Sequence, residues 1–141
     1  GTKDFIWTVD PQNDNLSDLF IHIKDFAEKY FREKGMLFRA FTSGSIEGKL
    51  RHGESREIIL ILKEAMTNVF KHSHAKNVEF SLISEPDCYK FCLKDDGRGF
   101  EISNGTNGLK NMKHRAEKSG CELLIRSTVN EGTQIEISLK L

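Results

Sequence analysis

The sequence predicts an α+β fold in which about three helices pack on one face of a mixed, mostly antiparallel sheet. Two observations predict it. Amphipathic helical repeats occur in separate segments, and strands of alternating apolar residues occur as neighbours in the middle and at the end of the chain. The 141 residues are enough for one domain with a real core and too few for two.

The first predicted helix begins at Leu16, after a turn-rich segment. Apolar residues recur at steps of three and four as far as Tyr30, which is typical of an amphipathic helix, and Gly35 is placed to end it. Weak alternation over 36–41 predicts a strand. The glycine- and serine-rich segment 42–53 is predicted to be a loop.

A second helix is predicted from Glu54 to His72, because apolar residues at helical spacing cover one broad face of it. Apolar residues then alternate over 78–82 and again over 89–93. The turn Glu85-Pro86-Asp87 separates these two runs, so they are predicted to form a hairpin.

The last part of the chain predicts one more helix and two strands. A loop over 97–107 leads into a third helix, for which Gly120 is well placed as the stop. Alternating apolar residues near Leu123, and again from Ile135 to Leu141, predict the closing strands.

Composition excludes several classes of protein. Lysine plus arginine and aspartate plus glutamate both total 21, and this balance argues against a polybasic nucleic-acid binder. No apolar run approaches the ~20 residues of a membrane span. The three cysteines form no CxxC pair, which argues against a disulfide framework or a zinc site. We therefore expect a reduced, cytoplasmic domain.

The second helix carries a polar stripe opposite its apolar face. Glu64, Asn68 and Lys71 share this stripe, and His72 lies at its edge. A carboxylate, an amide oxygen and an ammonium group in one column suit a phosphate bound through Mg²⁺, which prefers hard oxygen ligands. The alternative is an ordinary solvated face, on which Glu64 braces Asn68 or pairs with Lys71.

A glycine-containing loop follows the strand that ends near Asp95. Gly97 and Gly99 let the backbone turn sharply and approach a flat ligand closely. The carboxylate of Asp95 is suited to accept a hydrogen bond from an exocyclic amine, such as that of adenine. The alternative is a simple tight turn, for which aspartate and glycine are common choices.

A second glycine-containing loop, 103–108, leads directly into the third helix. The free N–H groups and the positive dipole at a helix N-terminus favour phosphate, and Lys110 adds positive charge. The alternative is simple capping by Thr106 or Asn107. The loop is neither a Walker A motif nor a Rossmann fingerprint.

In this order, the segments resemble the motifs of the GHKL ATPases. The run 64–73 resembles their N box, Asp95–Phe100 their first glycine box, Asn107–Ala116 their second, and Glu131-Gly132-Thr133 their Gly-Thr signature. Within that superfamily, N-G-L-x-x-M-x-x-R-A is similar to the sensor histidine kinases of two-component systems. The stretch Ile6–Asp14 is similar to the junction after the dimerisation helices in bacterial sensor kinases with β-propeller sensor regions.

The resemblance implies a Bergerat-type two-layer α/β sandwich in which ATP lies between the helices and a short lid. It divides the chain into a junction, 1–15, and an ATP-binding catalytic domain, 16–141. The implied activity is that of a protein histidine kinase, in which the γ-phosphoryl group of ATP-Mg²⁺ passes to a histidine of the dimerisation domain. None of the five histidines has that context, so the chain is expected to lack its own phosphoacceptor.

The same resemblance implies roles for residues of the N box. Asn68 would hold Mg²⁺, and Glu64 would position a water or act as a base. Lys71 and His72 would lie near the phosphates. Glu64, Asn68 and Lys71 are therefore the implied catalytic residues.

The resemblance also implies which residues bind the nucleotide. Asp95 would accept a hydrogen bond from the adenine amine, Gly97 and Gly99 would give the base room, and Thr133 would lie beside it. The phosphates would meet the first turn of the third helix, at Gly108, Leu109 and Lys110.

For the whole protein, the resemblance implies a homodimer anchored in the bacterial inner membrane, with this domain in the cytoplasm. Its implied partners are the dimerisation domain and a response regulator, with no nucleic acid. Two alternatives stay open. One is a GHKL protein-serine kinase or a conformational ATPase of the gyrase and chaperone kind, and the other is a non-catalytic interaction domain.

Overall fold

The structure, a computed structural model, describes residues 15–51, 53–98 and 107–140. The predicted junction lies outside these ranges except for Asn15, so the division into 1–15 and 16–141 stays a prediction. The elements, in chain order, are α1 (Leu16–Glu33), β1 (Leu37–Ser43), α2 (Glu54–Asn68), a π-helical turn (Val69–Ser73), β2 (Asn77–Ser84), β3 (Cys88–Asp95), α3 (Asn107–Ser119), β4 (Glu122–Thr128) and β5 (Gly132–Lys140).

The five strands form one sheet in the order β1-β2-β3-β5-β4. The β1–β2 pair is parallel, and every other pair is antiparallel. The parallel pair needs a long crossover, and α2 lies within it, whereas the β2–β3 and β4–β5 pairs are joined by short turns. The predicted α+β fold with a mixed, mostly antiparallel sheet is therefore confirmed.

The core lies between one face of the sheet and the helices. Phe80, Leu93 and Ile135 stand opposite one another across β2, β3 and β5, and all three are buried. Phe20 of α1 stacks on Phe80 with 5.2 Å between ring centroids. Because strand side chains alternate between faces, every second residue of the central strands enters this core.

Local signals fix the ends of α1. The side chain of Asn15 accepts a hydrogen bond from the N–H of Ser17 at 2.9 Å, which caps the first turn. After the helix, Gly35 has a φ of +76°, a conformation that glycine adopts without strain. The predicted stop at Gly35 is thus confirmed.

Strand β1 and the second helix differ from the sequence prediction in where they end. Strand β1 continues beyond Phe41, because Thr42 and Ser43 pair with β2. The second helix is α-helical only to Asn68 and then continues as the π-helical turn. Among the described residues, no helix combines the length and the apolar character that crossing a bilayer requires.

Candidate functional site

A row of polar side chains lies at one end of the apolar face of the sheet. Asp95, the last residue of β3, is only 3% exposed, and Thr133 of β5 lies opposite it in the register and is 8% exposed. Thr133 lies in turn opposite Ser127 of β4, and their hydroxyl oxygens are 2.9 Å apart. This row lies beside the Phe80–Leu93–Ile135 row on the face that the helices cover.

The carboxylate of Asp95 is held in place but poorly solvated. One oxygen accepts a hydrogen bond from the N–H of Gly97 at 2.8 Å. Burial raises the pKa of Asp95, and the charge of Asp96 raises it further, while the N–H groups of Gly97 and Thr133 partly offset this rise. A desolvated carboxylate of this kind gains from a ligand amine that donates to it.

Gly132 shows why a glycine precedes Thr133. Its φ is +106°, and a Cβ at this position would overlap the carbonyl oxygen of Asp95. The close approach of β5 to the end of β3 therefore requires a glycine here. The Gly-Thr signature of the sequence corresponds to this contact.

Asp96 lies beside Asp95, but its pKa is shifted in the opposite direction. Its carboxylate accepts hydrogen bonds from the N–H groups of Lys76 and Asn77, both at 2.9 Å, and from the Asn77 side chain at 2.7 Å. Burial by itself would raise the pKa of Asp96, but these hydrogen bonds outweigh it and lower the pKa. Asp96 thereby fastens the end of β3 to the start of β2.

A second link joins the first glycine box to the end of the N box. The Nη2 atom of Arg98 lies 2.8 Å from Nε2 of His74, which follows the π-helical turn. A guanidinium group can only donate, so Nε2 of His74 is the acceptor in this hydrogen bond. The carbonyl of Arg98 also accepts a hydrogen bond from the N–H of Asn130, in the β4–β5 turn.

The polar stripe of the N box is available for a ligand. Glu64 and Asn68 are half-buried on α2, Lys71 is exposed in the π-helical turn, and His72 belongs to the same turn. Within the part of the chain that the structure describes, no hydrogen bond or ion pair joins Glu64, Asn68 and Lys71 to one another. Glu64 therefore neither braces Asn68 nor pairs with Lys71, while the exposure of the stripe fits both a ligand site and an ordinary solvated face.

A cleft of about 250 Å³ separates the N box from α3. Glu64 lines it from α2, and Asn111 and Arg115 line it from α3. Nη1 of Arg115 lies 3.4 Å from Oε2 of Glu57, so an ion pair joins the two helices beside the cleft. The remaining residues that line the cleft are Leu60, Lys63, Thr67 and Met112.

The predicted site residues fall into two groups, which the contact between Arg98 and His74 connects. Asp95, Gly97 and Thr133 form one group at the end of the sheet, where Gly97 is buried. Of the N-box residues in the other group, Glu64 lines the cleft to α3, whereas Asn68 and Lys71 are not among the described residues that line it. The first turn of α3 contains Gly108, Leu109 and the exposed Lys110. Gly99 lies outside the described residues.

The N box has the chemistry that Mg²⁺ requires. Asn68 offers a neutral amide oxygen, and the carboxylate of Glu64 lies one helical turn away. Because Mg²⁺ keeps several waters and takes only one or two protein ligands, one half-buried amide oxygen fits such a site. Among the described residues there is no group of three or more His, Cys, Asp or Glu that could hold a metal by itself.

Sequence reasoning missed Asp96, Arg98 and His74 as parts of the site. Arg98 and His74 are 24 residues apart, and Asp96 and Asn77 are 19 apart. No periodicity or spacing in the sequence indicates such contacts, because they depend on the sheet order. A partial signal was the position of Asp96 and Arg98 within the first glycine box.

Comparison with known proteins agrees with this geometry. Residues 53–141, more than half of the chain, match the family model described as histidine kinase-, DNA gyrase B-, and HSP90-like ATPase. The sensor protein VraS of Staphylococcus haemolyticus is 31% identical over 96 residues, which are 66% of this chain and 28% of VraS. VraS of Staphylococcus epidermidis is 32% identical over 92 residues, or 63% of this chain and 26% of VraS. The chain thus spans less than a third of these relatives.

Solved structures share the fold. The histidine kinase domain of the blue-light activated histidine kinase of Erythrobacter litoralis superposes with a TM-score of 0.72 at 16% identity, covering 96% of this chain and 66% of that one. The catalytic domain of histidine kinase ThkA gives a TM-score of 0.71 at 12% identity, covering 89% of this chain and 92% of that one. From the family match and the shared fold, we conclude that the chain belongs to the histidine kinase-, DNA gyrase B- and HSP90-like ATPase family.

Proposed function

We propose that the chain is the ATP-binding catalytic domain of a sensor histidine kinase, and that it transfers the γ-phosphoryl group of ATP-Mg²⁺ to a histidine of a dimerisation domain. The observation that carries the proposal is the buried carboxylate of Asp95 opposite Thr133, at the polar end of an otherwise apolar sheet face. An adenine ring suits such a place, because its faces are apolar and its edge carries an amine.

In this proposal, Asp95 accepts a hydrogen bond from the adenine amine. Gly97, which is buried, and Gly99 leave room for the ring. Thr133 lies beside the base, with its hydroxyl oriented by Ser127. Asp95 and Thr133 belong to paired strands, so little ordering of these two groups is required when the nucleotide binds.

The phosphates are assigned to the cleft between α2 and α3. Asn68 is the Mg²⁺ ligand, and the metal would neutralise charge on the phosphates. Lys71 and His72 approach the phosphates from the π-helical turn, and Glu64 positions a water or acts as a base. The first turn of α3 would supply backbone N–H groups at Gly108, Leu109 and Lys110.

Phosphoryl transfer depends mainly on positioning and on neutralising charge. The Glu57–Arg115 ion pair and the Asp96 and Arg98 links supply the positioning, because they join the elements that carry the two groups of site residues.

The partners and location belong to the same proposal. VraS is named a sensor protein, and this chain spans 28% of its length. We propose that the parent is a homodimer anchored in the bacterial inner membrane, that this domain lies in the cytoplasm, and that a response regulator receives the phosphoryl group from the dimerisation domain.

The test is the chemical nature of the phosphorylated product. The chain is incubated with labelled ATP, Mg²⁺ and the dimerisation domain of its parent, and the labelled product is treated with acid and with alkali. An acid-labile, alkali-stable label is expected, since phosphohistidine has this stability. An acid-stable label would instead indicate a GHKL protein-serine kinase. ATP hydrolysis with no labelled protein would indicate a conformational ATPase.

A further inference from the structure

A cation and two aromatic rings join the end of α1 to the end of the N box. The ammonium of Lys34 lies 4.6 Å from the ring centroid of Tyr30 and 4.5 Å from that of Phe70. The two rings meet edge to face with 6.4 Å between centroids. We call these three residues the α1 clamp. Tyr30 and Lys34 are one helical turn apart, and Phe70 belongs to the π-helical turn.

A hydrogen bond adds a second contact between the same helices. The hydroxyl of Tyr30 hydrogen-bonds with that of Thr67, while Thr67 donates its own proton to the carbonyl of Lys63 at 2.9 Å. The contacts of α1 therefore fall on Thr67 and Phe70, on either side of Asn68.

The clamp holds a segment whose winding is unusual. α-Helical bonding ends at Asn68, and residues 69–73 wind as a π-helix. π-Helical turns are rare and occur mostly at functional sites. The wider turn changes the direction of every residue after Val69 relative to a continuing α-helix, so it sets where Lys71 points.

Burial fixes the start of this turn, where Val69 is 4% exposed, but not the residues that follow it. Phe70 is 44% exposed and Lys71 is exposed, so little apolar area is removed from water at either position. A cation over an aromatic ring contributes about 0.5–1 kcal/mol at exposed sites. The Lys34–Phe70 contact and the edge-to-face contact of Tyr30 with Phe70 tie the turn to α1, and the Tyr30–Thr67 hydrogen bond ties the end of α2 to it.

We propose that Tyr30 and Lys34 are positioning residues, which hold the end of α2 and the π-helical turn in the orientation that directs Asn68 and Lys71 at the phosphates of the nucleotide. The inference rests on the proposed function, and it adds α1 to the elements that shape the site. It differs from a purely structural role in one respect. Loss of the clamp must weaken the binding of phosphates more than the binding of the base.

The test compares two ligands on three variants. Lys34→Met keeps the aliphatic stem and removes the charge, and Tyr30→Phe keeps the ring and removes the hydroxyl. Arg32→Met is the matched control, because it removes a cation from the last turn of α1 that pairs with Glu28 and touches neither ring. Affinities for ATP-Mg²⁺ are measured by calorimetry and those for adenosine by NMR titration, with the thermal midpoint as a check of folding.

We expect Lys34→Met and Tyr30→Phe each to bind ATP-Mg²⁺ about two- to fivefold more weakly, with adenosine affinity unchanged. Lys34→Arg, which keeps a cation over the rings, should restore ATP affinity, and Arg32→Met should match the wild type. Equal losses for both ligands, or no loss in either variant, would overturn the inference while leaving the proposed function in place. Absence of ATP binding by the wild-type chain would overturn both.

Discussion

Thr133 of β5 lies opposite Asp95 of β3, and both side chains are buried on the face of the sheet that the helices cover. Strands β3 and β5 are separated along the chain by α3 and β4. The group that we propose binds adenine therefore forms only when β3 and β5 pair.

We predict that Asp95→Asn weakens ATP binding about 10- to 100-fold, because a hydrogen bond to a charged acceptor contributes about 1.5–3 kcal/mol. Calorimetric titration with a non-hydrolysable ATP analogue measures the loss. Asp87→Asn, in the exposed turn between β2 and β3, is the control and should bind like the wild type. Unchanged affinity in Asp95→Asn would remove the adenine assignment.

The two adjacent aspartates should give opposite pH dependences of stability. Because the pKa of Asp95 is raised in the folded state, its ionised form destabilises the fold, and this cost disappears as falling pH protonates it. Asp95→Asn should therefore be at least as stable as the wild type at pH 7. Its advantage should shrink as the pH falls through the raised pKa of Asp95.

Asp96 should show the reverse pH dependence of stability. The pKa of Asp96 is lowered in the folded state. Its contribution to stability is therefore present above the unfolded pKa of about 3.9 and is lost as the pH falls through the folded pKa. Asp96→Asn should be less stable than the wild type at pH 7, and the two should converge in acid. Urea unfolding between pH 7 and pH 3 measures both differences, and the same sign of pH dependence for both aspartates would contradict the assignment.

If Asn68 binds Mg²⁺, replacing it should weaken ATP binding only when the metal is present. Asn68→Ala should remove the increase in ATP affinity that Mg²⁺ provides, and its affinity in EDTA should equal that of the wild type in EDTA. The cross-control is Asp95→Asn, in which binding is weaker overall but the increase on adding Mg²⁺ persists. If Mg²⁺ strengthens binding equally in Asn68→Ala and the wild type, Asn68 is not the ligand.

Replacing Gly132 by alanine should lower the stability of the fold in two ways, through backbone strain and through steric overlap. Gly35→Ala is the matched control, because Gly35 has a positive φ but no atom within 4 Å of an added Cβ. Strain alone should cost this control about 1–2 kcal/mol. Gly132→Ala should cost clearly more, because its Cβ also overlaps the carbonyl of Asp95, and it should weaken ATP binding as well. Equal free energies of unfolding for the two variants would mean that the contact with Asp95 is not a constraint.

The sequence was sufficient to predict the elements that local chemistry decides. The helical repeat from Leu16 to Tyr30 and the stop at Gly35 gave α1, and alternation gave β2, β3 and β5. Boundaries that depend on pairing could not be predicted in the same way. β1 extends to Ser43 because β2 continues beside it, and nothing local indicates that pairing.

Individual candidate site residues could be predicted from the sequence, but their positions relative to one another could not. The periodicity of 54–72 does not distinguish an α-helix from one that becomes π-helical at Val69, because the apolar residues recur in the same way. The opposition of Asp95 and Thr133 follows from the position of β5 next to β3, which the sequence does not contain in readable form. The contact of Tyr30 with Phe70 likewise depends on the docking of α1 beside α2.

The most direct measurement is the structure of the chain bound to a non-hydrolysable ATP analogue and Mg²⁺. We predict that the adenine amine donates to Asp95 beside Thr133, that the metal is coordinated by Asn68, and that the phosphates meet the first turn of α3 at Gly108. A nucleotide bound on another surface, or a base whose edge makes no contact with Asp95, would contradict the proposed site.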